Sequence, residues 1–139
     1  LAIAGTYLIE NKLEVVEGDP TTLDIARGEV DNPVWRLNAT PGFSTGRFGF
    51  DWTVRYISHT NVNVQASDEA RSDNEVSSRI YNDLYASFDV NDSLRFYGGV
   101  NNLFDVDPPF SRETFQGTGR GALFDNIGRY FFLGASANF

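Results

Sequence analysis

The sequence predicts an all-β protein, about six antiparallel strands forming a segment of a larger transmembrane β-barrel. Three observations lead there. Six stretches alternate apolar and polar residues with period two, the repeat of a strand whose two faces meet different surroundings. Their connections alternate between short turns and long polar loops. The last stretch, 129–139, finishes on an aromatic, with Phe131, Leu133, Ala135, Ala137 and Phe139 on one face and Tyr130, Phe132, Gly134, Ser136 and Asn138 on the other. In a soluble domain such an uncapped apolar edge invites aggregation. Barrel closure leaves no edge, so this ending points to the outer membrane.

The elements are expected in this order. The first strand covers 1–10, with Leu1, Ile3, Tyr7 and Ile9 on one face. The second, 34–43, sets Trp35, Leu37, Ala39 and Phe43 against Arg36, Asn38 and Thr40. The third, 47–59, sets Phe48, Phe50, Trp52, Val54 and Tyr56 against Gly49, Asp51, Thr53 and Arg55. In the fourth, 80–90, Leu84, Ala86, Phe88 and Val90 oppose Asp83, Tyr85, Ser87 and Asp89. The fifth, 94–104, sets Leu94, Phe96 and Val100 against Arg95, Tyr97 and Asn101, and the sixth is the terminal stretch. Lengths near 9–11 residues suit a tilted strand crossing a bilayer.

Short turns are expected at Ser44-Thr45-Gly46 and Asn91-Asp92-Ser93. Long loops are expected over 11–33, 60–79 and 105–127, a pattern rare in compact soluble domains but normal for outer-membrane barrels. With the C-terminus on the periplasmic side, all three long loops lie outside. The first is acidic (Glu14, Glu17, Asp19, Asp24, Glu29, Asp31), and the second is rich in Ser, Asn and Asp with little to bury. In the third, Pro108 and Pro109 lack an N–H and end the ladder.

Composition narrows the function. In 139 residues the net charge is −8 with scattered basic residues, which argues against a nucleic-acid partner. Cysteine is absent, so disulfides, thiolate metal sites and a Cys nucleophile are excluded. No apolar run reaches the roughly 18 residues of a membrane helix. Aromatics make up 14 %, as expected where alternate residues meet lipid. Methionine is absent even at position 1, and Leu1 falls within a strand, so the chain reads as a piece of a longer one. His59 alone builds neither a zinc site nor a triad. Gly117-x-Gly-x-Gly121 lacks the Lys-Ser/Thr of a phosphate loop. The acidic loop has no EF-hand spacing. No enzyme activity, cofactor or metal is expected.

Two stretches of the tail carry a resemblance. Val100-Asn-Asn-Leu-Phe-Asp-Val-Asp-Pro-Pro109, then Phe124-Asp-Asn-Ile-Gly-Arg-Tyr-Phe-Phe-Leu-Gly134 and a terminal Phe, resemble the C-terminus of TonB-dependent outer-membrane receptors. Asn32-Pro-Val-Trp-Arg-Leu-Asn38 and Trp52-Thr-Val-Arg-Tyr56 look like strands from the same region. The resemblance implies residues 1–139 of a barrel of about 22 strands enclosing a plug. It also implies uptake of a scarce nutrient (iron chelate, cobalamin or oligosaccharide) across the outer membrane of a Gram-negative bacterium. The plug and the TonB box, through which the TonB complex supplies energy, would lie outside this segment. Its implied partners are outer-membrane lipid, the barrel assembly machinery and the small-molecule nutrient.

Candidate solute contacts are Tyr81, Asp83 and Asn101 near the outer strand ends, with Arg112 and Glu113 in the last loop. Phe131, Leu133 and Phe139 resemble the signal read by the assembly machinery, since an exposed edge with aromatic anchors templates strand addition. Arg36, Arg55 and Arg95, with Asp51, Asp83 and Asp89, read as a cross-strand charge ladder, or alternatively as a permeation surface. Two other readings are a soluble secreted β-sandwich module binding carbohydrate or metal, and a small complete barrel with a structural or adhesive role.

Overall fold

The computed structural model describes residues 1–67, 74–109 and 123–138. Among them run eleven strands: β1 Ala2–Tyr7, β2 Lys12–Glu14, β3 Leu23–Ile25, β4 Trp35–Thr40, β5 Gly42–Thr45, β6 Phe48–Ile57, β7 Thr60–Asn61, β8 Glu75–Val76, β9 Arg79–Asn91, β10 Leu94–Asn101 and β11 Tyr130–Ala137. The protein is all-β, and its main sheet is an antiparallel meander in the order β1-β4-β6-β9-β10-β11, with β5 also paired to β6. It is open, with β1 and β11 at its edges.

All six expected strands form, within a few residues of their expected ends. The stretch expected as one strand over 34–43 is split, because Pro41 has no N–H for the ladder. Its carbonyl still accepts from the Trp52 amide at 3.0 Å, so β4 and β5 stay in line along β6. At the fifth strand the ladder stops at Asn101, where Asn102 (φ 51°) and Asp105 (φ 55°) turn the chain. Both lie in the left-handed region that short polar side chains tolerate best.

Register assigns the faces. Phe48, Phe88 and Phe96 are direct cross-strand partners on one face. At the other end of that face the Tyr7 and Trp35 rings lie 4.5 Å apart. Between these aromatic bands, Phe48 to Tyr56 spans about 26 Å along β6 at ~3.3 Å per residue. Leu37, Trp52, Ile80, Phe131 and Leu133 on this face are exposed, Leu133 by 86 %. Asn82 on this face is a buried polar side chain, and it accepts from the Trp52 indole N–H at 3.0 Å.

The opposite face is polar. Arg55 pairs with Asp83 and Arg95 with Asp89 across adjacent strands, which are two rungs of the expected charge ladder; no ion pair of Arg36 or Asp51 is among the contacts of the described residues. Thr40 and Thr53 share a hydroxyl hydrogen bond at 3.1 Å.

The connections obey the expected alternation. Tight turns join β5 to β6 and β9 to β10, while long connections follow β1, β6 and β10. The long ones are not merely polar. The first contains the β2–β3 hairpin and a 3-10 turn at Pro20–Thr22, and the second contains the β7–β8 hairpin. The second loop was expected to bury little, yet Val62 and Val76 are buried there. They join Val30 from the first loop, Phe124 from the third, and Ile57 and Tyr81 from the sheet. Among the described residues this buried cluster forms a rim of loop side chains, folded over the end of the polar face where the long connections meet.

Candidate functional site

The rim core fixes the site beside it. Tyr81 is fully buried, and the Arg55 guanidinium lies over its ring, 5.0 Å from the centroid. Arg55 donates to Asp83 through Nε at 2.8 Å and Nη2 at 3.3 Å. It donates to Asp125 through Nη1 at 3.0 Å and through Nη2. Four of its five N–H groups are thus spent on two forked carboxylates, an arrangement that only a planar guanidinium can serve.

A second knot lies behind Asp83. Its Oδ1 accepts from the Asn102 amide at 2.8 Å. The Asn102 side chain, 1 % exposed, donates to the Val106 carbonyl at 2.9 Å and accepts from the Val106 amide at 2.8 Å. Asp105 then accepts from the Arg129 amide at 2.7 Å, tying the start of β11 to the end of β10.

Beside these knots opens a cleft of about 570 Å³, lined by Arg55, Asp83, Asn101, Phe124, Asp125, Asn126, Ile127, Gly128 and Tyr130. One guanidinium and two carboxylates give its charged group a net charge of −1. Amide and phenol groups (Asn101 donates to the Tyr130 hydroxyl) and the apolar Phe124 and Ile127 complete the wall. Such a surface suits a neutral, hydroxyl-bearing ligand better than an anion.

Below the cleft, register sorts β9, β10 and β11 into rows. Tyr85, Gly99 and Phe132 form one; Ser87, Tyr97 and Gly134 the next; Asp89, Arg95 and Ser136 the last. The rings lie down over the glycines. A Cβ built on Gly134 would stand 2.5 Å from Cζ of Tyr97, and one on Gly99 would stand 2.7 Å from Cζ of Phe132. Tyr85 lies between, with centroids 6.2 Å from Tyr97 and 6.4 Å from Phe132 at interplanar angles of 29° and 28°.

Of the candidate contacts, Asp83 and Asn101 line the cleft, and Tyr81 sits behind its wall as a core residue. Arg112 and Glu113 lie outside the described residues, as does Phe139. Phe131 and Leu133 are exposed on the apolar face of edge strand β11. Sequence reasoning missed Asp125 and Tyr130. Asp125 stood in the quoted tail, but nothing local shows that its loop returns to a strand 70 residues earlier.

Among the described residues, no group of three or more His, Cys, Asp or Glu side chains could hold a metal ion. No helix there is long and apolar enough to cross a membrane. In the first loop, Asp19 accepts from the Thr21 hydroxyl at 2.6 Å and the Thr21 amide at 3.0 Å. These bonds, the hydroxyl first, hold its carboxyl below the usual carboxylate range. Compared with known proteins, the chain matches no family model, no curated protein and no solved structure.

Proposed function

We propose that the chain forms part of the wall and outer rim of an outer-membrane transport barrel of the TonB-dependent kind, taking up a small-molecule nutrient. One observation carries this reading: an aromatic-banded apolar face lies uncovered among the described residues, while the opposite face holds the ion pairs. In water such a sheet needs a second layer; in a bilayer it needs none. The aromatic bands then sit at the two interfaces, and the apolar height between them fits the outward band of a barrel. The polar face lines the aqueous interior. The long loops gather at one end, where the cleft would meet incoming solute, and Phe131 and Leu133 offer an edge to the assembly machinery. Closure requires further strands, since six are fewer than the eight of the smallest barrels. Energy would come through a plug engaging the TonB complex. This role needs no covalent chemistry.

The absence of cysteine makes the test direct. Introduced one at a time into the complete barrel that contains this chain, Leu37→Cys, Phe96→Cys and Leu133→Cys on the apolar face, and Thr53→Cys and Ser87→Cys on the polar face, each carry one nitroxide in lipid vesicles. Apolar positions should collide with oxygen and polar ones with a water-soluble nickel chelate. Apolar positions shielded from both reagents would mean a covering sheet, as in a β-sandwich, and would sink the proposal.

A further inference from the structure

Wall formation leaves the three rings on the polar face unexplained. A barrel interior needs polar or small groups, yet Tyr85, Tyr97 and Phe132 form a continuous aromatic patch there. Ring atoms of Tyr97 and Phe132 occupy the space above Gly134 and Gly99 that a side chain there would fill. We propose that this patch is a stacking platform for a neutral, linear oligosaccharide.

A pyranose ring is amphipathic in the matching sense. Its faces carry C–H groups, which are slightly positive and meet the negative face of an aromatic ring. Its edge carries hydroxyls, which need donors and acceptors on both sides. The structure supplies both. Asp83, Asn101 and Tyr130 stand on the outer side of the rings, and Ser87, Asp89, Arg95 and Ser136 stand among and below them.

Charge selects against anionic solutes. Arg95 is matched by Asp89, and the Arg55 group keeps a net charge of −1. With −8 on the whole chain, an anionic chelate would approach against the field. Cleft and platform together form one path from the rim inward. The inference deepens the transport reading by naming its solute class, and it rests on that reading only in needing the polar face open to water.

The test uses the complete barrel that contains this chain, reconstituted in lipid vesicles and titrated calorimetrically with hexaoses of α-1,4-glucose, β-1,4-glucose, β-1,4-xylose and β-1,4-mannose. Sorbitol, which has hydroxyls but no ring, is the control. At least one hexaose should bind above sorbitol. Tyr97→Phe should keep that affinity within about twofold, while Tyr97→Leu, equally apolar but without a π-face, should lose about tenfold. Gly134→Ala should weaken binding too, because its methyl displaces the Tyr97 ring. Should Tyr97→Leu fail to fold, Tyr85→Leu and Tyr85→Phe make the same comparison. Binding of no hexaose above sorbitol, or a Leu variant binding as well as its Phe counterpart, overturns the platform. The spin-label pattern keeps the two ideas apart: lipid-facing Phe96 without sugar binding sinks only the platform, whereas sugar binding with a covered apolar face sinks only the barrel.

Discussion

Asn102 is where a single side chain holds most of the rim geometry. It is buried, sits at φ 51°, and bonds both backbone groups of Val106 while its own amide reaches Asp83. Asn102→Ala removes both side-chain hydrogen bonds, at about 1 kcal/mol each or somewhat more, because half-buried Val106 is left with an unpaired donor and acceptor. It also forces a Cβ-bearing residue without a local hydrogen bond into left-handed backbone, for roughly 1 kcal/mol more. The total is about 3–4 kcal/mol. Asn102→Gly loses the same two bonds but escapes the backbone term, so it should cost about 1 kcal/mol less than Ala. That order is the opposite of what a regular strand position gives, where Gly is worse than Ala. Urea unfolding of the whole protein in lipid vesicles, followed by its tryptophan fluorescence, measures the three proteins. A cost below about 1 kcal/mol for Ala, or Gly worse than Ala, would refute the reasoning.

Two further outcomes follow from the rim and the first loop. Arg55→Lys keeps the charge but cannot fork both Asp83 and Asp125; because the group is partly exposed, the loss should be only about 1–2 kcal/mol in the same urea assay, with Arg55→Met costing more. Asp19 titrates below its unfolded value, so its bonds to Thr21 contribute fully above about pH 4 and fade as pH falls through the depressed folded value. The Thr21 amide resonance should follow that acid-side titration in NMR spectra, and Asp19→Asn should flatten it.

Period-two alternation made the sheet legible because both faces have strong and opposite demands. Trp52 and Val54 against Thr53 and Arg55 define a strand without any knowledge of its neighbours. The Pro41 break was visible in principle, but the alternation on either side of it, Ala39 with Phe43, reads straight through. The rim core was not legible. Val62 and Val76 stand in a Ser- and Asn-rich stretch, and their partners Val30 and Phe124 come from other loops. No local period marks a residue buried by distant chain. The same reason hid the pairing of Asp125 with Arg55, although each residue was visible alone. The glycine-backed platform needed the register as well, since Gly99 and Gly134 gain meaning only once Phe132 and Tyr97 are known to lie opposite them.

Every strand of the main sheet pairs only with strands that come next to it along the meander, setting aside the small loop hairpins. Register information is therefore local, and the wall can grow or shrink by one hairpin without rewriting the rest. The rim is different in kind. There Gln65 reaches Leu23 and Ile25, Glu29 bridges Asn61, and Arg55 reaches Asp125. These contacts act as a hoop that ties the loop ends of the strands to one another. Evolution can thus exchange the sheet's hairpins piecemeal, but must change the loops that share the hoop together.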